Sequence, residues 1–361
     1  IRRTFKGAKL YAEVFERYIK ALLQEGHPLE FFIEGGRSRS GKLILPKIGF
    51  LSILLKAYRE GYCDDLVFVP TSIAYDQILE AKSFLQEIGG GDKEKERFKH
   101  IWKARRFLKT SQGKIYIRFG DPFSLKASED RPGADQTPMP RELAFRIIRS
   151  INRATMVTPL ALLSTAVLAG HRKGFELDEL NATAEELMAF LRDEKAGAAA
   201  SLADLKGTVQ ETLSMLISRK VVESIEDVGS TERFFYVEDE KKPELEFHKN
   251  SIIHYFVLHS FAAVALLSGD AEVKSSDEIL EDYRFLRWLF RNEFIYSDPL
   301  ESEEEPGLRR AMDYFLKTSF IKKSGDSAGY AVTRNGMEHL PMWAAMVKTF
   351  IESFQGERVR E

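Results

Sequence analysis

The 361 residues hold a single cysteine, Cys63. One thiol excludes an internal disulfide framework and a cysteine-ligated zinc site, and it fits a reducing compartment. Cys63 reads as an inert structural thiol. Long apolar runs are also missing. The two candidates, residues 155–170 and 251–268, fall short of the roughly 20 apolar residues that a spanning helix needs. The first contains Pro159, and the second carries His254 and His259. Both read as buried core helices in preference to interfacial segments. The chain opens on Ile1-Arg2-Arg3 without methionine, so it reads as a fragment that starts inside a folded domain, any targeting segment lying upstream.

Net charge is scarce as well, at −2, but the charges are unevenly spread. Residues 1–150 hold 28 Lys and Arg against 19 Asp and Glu, and the remainder 25 against 36. A basic first half suits an anionic ligand or an anionic membrane surface, although uneven scatter accounts for it equally well. The length allows two or three domains.

Residues 6–25 place Leu10, Val14, Phe15, Tyr18, Ile19 and Leu22 at helical spacing. The pattern predicts an amphipathic helix ended by Gly26 and Pro28. LEFFI, residues 29–33, reads as a buried strand, and KIGFLSILLKAYREG as a second helix. DDLVFVPTSIAY starts as another buried strand, with Pro70 at its end. Residues 77–112 are predominantly helical in pattern, and GKIYIRFGDPF alternates like a strand. The alternation predicts an α/β fold class for residues 1–125, a mixed sheet flanked by helices. Residues 126–140 are a polar linker with three prolines. Residues 141–361 form a mainly helical C-terminal region. There, residues 216–239 and 315–333 each read as a helix leading into a small hairpin. Such units resemble winged helices, here packing modules and not DNA readers, since no basic recognition helix accompanies them.

The stretch most loaded with chemistry is EGGRSRSGKL, residues 34–43. Gly36 and Gly41-Lys42 have the G-x-x-x-x-G-K spacing of a nucleotide-binding P-loop. Leu43 stands where that loop needs a hydroxyl. Pro46 disturbs the following helix, and only Asp76 offers itself as a downstream magnesium ligand. The alternative is a phosphate cradle of another kind. Gly35 and Gly36 would let backbone N–H groups approach, and Arg37 and Arg39, flanking Ser38, would clamp the oxygens with planar donors. Solvated loop charge is the plain third possibility.

IRRTFKGAKLYAEVF, FFIEGGRSRSGKLILPKIGFLS and FVPTSIAYD resemble successive blocks of the membrane-associated bacterial glycerol-3-phosphate acyltransferases, a family that includes dihydroxyacetone-phosphate acyltransferases. Ile1-Arg2-Arg3 resemble the end of the family's Phe-Ile-Arg-Arg block. Phe32 to Arg39 match its Phe-x-Glu-Gly-Gly-Arg-Ser-Arg block in full. Residues 69–75 match a looser apolar block. GKIYIRFGDPFSL resembles the closing strand of the catalytic domain, and residues 245–254 and 290–294 resemble C-terminal blocks.

The resemblance implies transfer of a fatty acyl group from acyl-CoA or acyl-carrier protein to the first hydroxyl of glycerol 3-phosphate, in phospholipid synthesis. It implies no cofactor, metal or nucleic acid, and a place at the cytoplasmic face of the bacterial inner membrane, against the membrane surface. Arg2, Arg3 and above all Arg37 would face the phosphate. Glu34 would hold the loop or bind glycerol hydroxyls, Gly35 and Gly36 would admit the backbone, and Ser38 and Arg39 would shape the pocket. Pro70 and Tyr75 would line the acyl side. The family's catalytic His-x-x-x-x-Asp block precedes Phe-Ile-Arg-Arg, so it is expected upstream of Ile1, and the fragment is expected to be inactive. None of the seven histidines has aspartate five positions on. His171 has Glu176 there, but in the helical half. A P-loop-like nucleotide-binding protein and a non-enzymatic winged-helix scaffold are the competing readings.

Overall fold

The computed structural model describes residues 9–36, 38–75, 114–129, 139–226, 233–269, 271–296, 305–324 and 329–358. It divides into two compact units. The first takes the described residues of Ile1–Ser38, Ile44–Ser72 and Ile117–Ala154. The second takes those of Arg39–Leu43, Ile73–Tyr116 and Thr155–Glu361.

In the first unit, helix α1 (Lys9–Gln24) packs on α2 (Gly49–Arg59). The predicted stripe is only partly covered. Ile19 is buried and Phe15 meets Phe50, whereas Leu10, Val14 and Tyr18 are exposed. Gly26, at φ +73°, ends α1 as the sequence predicts, in the left-handed conformation that glycine adopts freely. Charges tie the two helices. Lys20 Nζ lies 2.7 Å from Glu16 and 2.6 Å from Glu60, and Lys56 reaches Glu16 at 2.6 Å.

The LEFFI strand is not formed. Residues 29–33 carry no ladder, Phe32 is 73% exposed, and only Ile33 is buried. A strand needs a neighbour to satisfy its backbone. Here one bond, Lys47 N–H to the Ile33 carbonyl, stands in for a ladder.

The next strand is split by Val69-Pro70 into β1 (Val67–Phe68) and β2 (Thr71–Tyr75). Proline has no N–H to donate to a ladder, which sets the break. β1 pairs antiparallel with β4 (Phe123–Ser124), and β2 pairs with β3 (Ile115–Phe119). The sheet is thus two narrow ribbons, with half their side chains exposed, in place of the buried strands the apolar runs suggest. Asp65 knots the first ribbon to α3 (Lys126–Glu129). Its carboxylate accepts from Ser124 Oγ at 2.6 Å and from the N–H groups of Leu66 and Lys126. Burial works to raise its pKa, but these hydrogen bonds prevail and hold it below the usual carboxylate value. α4 (Pro140–Arg153) packs on α2 through Leu143, Ala144, Ile147 and Ile148, so the unit extends past residues 126–140. Residues 77–112, expected to be predominantly helical, lie outside the described residues.

The second unit is built from one arrangement used twice. The first copy runs α5 (Pro159–Gly170), α6 (Leu177–Asp193), α7 (Leu205–Ser218), the antiparallel hairpin β7 (Glu223–Glu226) and β8 (Arg233–Tyr236), then α8 (Lys242–Asn250). It also carries a short parallel pair, β5 (Met156–Val157) just ahead of α5 and β6 (Gly197–Ala198) between α6 and α7. The second copy runs α9 (Ile253–Leu267), β9 (Val273–Ser275), α10 (Ser276–Leu289), α11 (Pro306–Lys317), the hairpin β10 (Ile321–Lys323) and β11 (Gly329–Val332), then α12 (Arg334–Ala345), with α13 (Lys348–Arg358) after it. In the second copy β11 also pairs with β9, ahead of α10. In the first, Phe175 bridges Phe235 of β8 from the same position, ahead of α6.

α5 and α9 are the two apolar stretches. Both are core: Leu160 to Ala169 are buried, as are Phe256 to Ala263. No single described helix is long and apolar enough to cross a membrane. Around α9 the rings of Phe190, His259, Tyr314, Phe315 and Trp343 pack edge to face, and Phe256 stacks on Phe190. Fully buried apolar side chains of this size stabilise by about 1.5–3 kcal/mol each.

Candidate functional site

The EGGRSRSGKL segment forms a closed loop. Gly35 N–H donates to the Phe32 carbonyl at 2.9 Å, and the Glu34 carboxylate accepts the Ile44 N–H at 3.0 Å. Glu34 therefore ties the two ends of a ten-residue excursion, the loop-holding half of its expected role. Gly35 has φ +64°, and a Cβ there would come within 2.6 Å of the Lys47 side chain. Gly36 faces open space. Ser38 Oγ is buried without a hydrogen-bond partner among the described residues. Arg39 is exposed and forms no ion pair among them. Arg2, Arg3 and Arg37 lie outside the described residues. Pro70 is buried, its carbonyl taken by Gly120 N–H at 2.7 Å, and Tyr75 is exposed.

Residues 39–43 pack within the second unit, and there the nucleotide-loop reading fails. Lys42 Nζ donates to the Glu293 carbonyl at 2.7 Å and meets its carboxylate at 2.8 Å. The Lys42 side chain is 10% exposed, with the Phe294 ring 5.8 Å from its ammonium. A P-loop lysine must reach the β- and γ-phosphates; this one is already committed. Gly41, at φ +88°, is seated so tightly that a Cβ would stand 1.9 Å from the Phe247 carbonyl oxygen. Ser40 offers its carbonyl to Asn250 Nδ2 at 2.9 Å. The following helix, α2, begins only at Gly49.

The sequence assigned no role to Phe247, Asn250, Glu293 or Phe294. All four fall in the two C-terminal blocks quoted for the resemblance. A glutamate between the aromatic residues of FRNEF was the available signal, since a carboxylate held against apolar rings calls for a cationic partner.

The histidines stand apart from the loop's chemistry. His171 Nε2 bonds Thr183 Oγ1 at 2.8 Å, while Glu176 N–H is capped by Glu179, so HRKGFE is no catalytic pair. Burial pushes the pKa of His248 down to about 4 and that of His259 down to about 3. Burial chiefly, with Asp65 and Asp64 nearby, pushes the Cys63 thiol up, away from a reactive thiolate. Among the described residues no cluster of three metal-ligating side chains exists.

Comparison with known proteins sets the class first. Residues 1–74 match the model of the family described as acyltransferase. Residues 84–356 match the model described as the glycerol-3-phosphate acyltransferase C-terminal region. The glycerol-3-phosphate acyltransferase of Pseudomonas putida (strain GB-1) is 30% identical over 313 residues, 80% of this chain and 37% of that protein. Those of Ectopseudomonas mendocina (strain ymp) and Pseudomonas fluorescens (strain Pf0-1) are 28% and 26% identical, over 90% and 92% of this chain. The chain belongs to the glycerol-3-phosphate acyltransferase family. It spans 37% to 42% of the length of these relatives.

Proposed function

We propose that this chain carries the glycerol 3-phosphate-binding part of a glycerol-3-phosphate 1-O-acyltransferase. In the reaction the sn-1 hydroxyl oxygen attacks the thioester carbonyl of acyl-CoA or acyl-carrier protein. A base takes the hydroxyl proton, and the thiolate leaves and is protonated. The base belongs to a His-x-x-x-x-Asp block not found in this sequence. What these residues contribute is the hold on the phosphate, by the backbone at Gly35 and Gly36 and by the guanidiniums of Arg37, Arg39, Arg2 and Arg3. Pro70 and Tyr75 stand on the acyl side. The protein works as a peripheral enzyme at the cytoplasmic face of the inner membrane, and the repeated helix-and-hairpin units are winged-helix-like packing modules.

The observation that carries the reading is the closed loop within a full match to the Glu-Gly-Gly-Arg-Ser-Arg block. Its neck is tied by Glu34, its lysine is withheld from any ligand, and a buried hydroxyl at Ser38 awaits a partner. The experiment is Arg37→Ala in the full-length enzyme. Loss of a charged hydrogen bond, about 1.5–3 kcal/mol, should raise KM for glycerol 3-phosphate about 10- to 150-fold. Unchanged saturation and turnover would remove the assignment.

A further inference from the structure

We propose that Glu293, Asn250 and the Phe247 carbonyl, together with Lys42, form a clamp that sets the register of the phosphate loop. They are positioning residues, not substrate ligands. The proposal rests on the reading of the Gly35–Arg39 turn as the phosphate site.

Three contacts at three successive residues make the clamp. Asn250, itself buried, holds the Ser40 carbonyl. Gly41 is pressed against the Phe247 carbonyl with no room for a side chain, in a backbone conformation that favours glycine. Lys42 gives two short bonds to one residue, to Glu293's carbonyl and to its carboxylate. Each contact alone would leave the loop some freedom, but together they fix a peptide plane, a close approach and a charge. A register slip of one residue would put a side chain where only Gly41 fits and would leave the Lys42 ammonium without its carboxylate in a largely buried place. That arrangement is costly for an ion. The clamp therefore has one accepted register.

The loop's other restraint is the Glu34 carboxylate on Ile44 N–H. Between the two restraints, Gly36, Ser38 and Arg39 donate to no backbone carbonyl in a turn or loop contact among the described residues. Their N–H groups and the Arg39 guanidinium are what remains for a ligand, while their position is inherited through the chain from Ser40 onward. Misplacing a binding group by about 1 Å can cost on the order of 100-fold. A clamp 200 residues away in sequence can thus govern substrate affinity without touching substrate. It also gives the two C-terminal blocks, residues 245–254 and 290–294, a role in the reaction.

The test uses the full-length enzyme with Glu293→Gln, Lys42→Met, Lys42→Arg and the double variant Lys42→Met/Glu293→Gln. The readouts are KM for glycerol 3-phosphate, KM for acyl-CoA, and amide hydrogen exchange over residues 34–44. Glu293→Gln keeps the shape and the carbonyl, so it remains informative should Lys42→Met fail to fold. Each single variant should raise KM for glycerol 3-phosphate by about tenfold or more, leave KM for acyl-CoA unchanged, and speed exchange across the loop. Lys42→Arg should recover most of the loss. The double variant should be no worse than either single one, since both break the same pair. Equal shifts in both KM values, additive losses, or loop exchange identical to wild type would overturn the clamp. Failure of the phosphate reading is distinguishable, because Arg37→Ala would then leave KM unchanged while Glu293→Gln still speeded loop exchange.

Discussion

Gly41→Ala adds a single methyl group, and the structure says where it goes: 1.9 Å from the Phe247 carbonyl oxygen and 2.8 Å from its carbon. Those atoms are backbone, so no side chain can rotate aside. Alanine also pays about 1 kcal/mol for a positive φ. Held in place, the overlap would cost far more than the loop's attachment is worth. The loop must therefore leave, and the cost is capped by what docking contributes. The Lys42 bonds supply about 1.5–3 kcal/mol as a charge-assisted interaction, and the Asn250 bond to Ser40 about 1 kcal/mol. The expected destabilisation is then about 2–4 kcal/mol, confined to residues 39–43 and their partners. In a unit of this size that lowers Tm by roughly 5–15 °C if loop release is coupled to unfolding, and less if it is local. Thermal unfolding, with hydrogen exchange over residues 34–44, measures both. A variant with wild-type Tm and wild-type loop exchange would refute the steric argument.

Two further outcomes follow from the second unit's core. His259 and His248 are held neutral by burial, with folded pKa values of about 3 and about 4 against an ordinary 6.5. Their contribution is complete above about pH 6.5 and is lost as pH falls toward the folded values, at about 1.4 kcal/mol per pH unit for each. His259→Phe should therefore flatten the stability loss between pH 6.5 and 5 by about 2 kcal/mol, read from urea midpoints; an unchanged slope would contradict it. Glu305, 3% exposed, pairs with the buried Arg287 and also meets Arg284 at 3.4 Å. Glu305→Ala removes the carboxylate from the buried Arg287 guanidinium and should cost about 3–5 kcal/mol, visible as a lowered Tm. An unaltered Tm would show the pair to be dispensable.

The parts of the fold with local causes were legible in the sequence. The 3.6-residue spacing around Phe15 and Ile19 marked α1, and the unbroken apolar runs marked α5 and α9 as core. The helix-then-hairpin patterns of residues 216–239 and 315–333 marked both hairpins. LEFFI misled because an apolar run only permits a strand, and among the described residues it has no neighbour to pair with. The site divided in the same way. The motif itself marked the Glu34–Gly35–Gly36 turn, which Glu34 closes onto Ile44. Lys42 looked like a nucleotide ligand because spacing cannot tell which partner an ammonium will find. Its partner lies 251 residues on, a distance over which only the folded chain brings charge to charge.

What the turn between Glu34 and Ser40 holds decides the assignment of the site. Calorimetric titration of the full-length enzyme with glycerol 3-phosphate, beside Arg37→Ala and with glycerol as the uncharged control, measures it directly. The expected result is binding by the wild type, a loss of about tenfold or more in the variant, and no detectable heat with glycerol. Equal affinity in both proteins, or glycerol binding as well as its phosphate, would contradict a site built to hold phosphate.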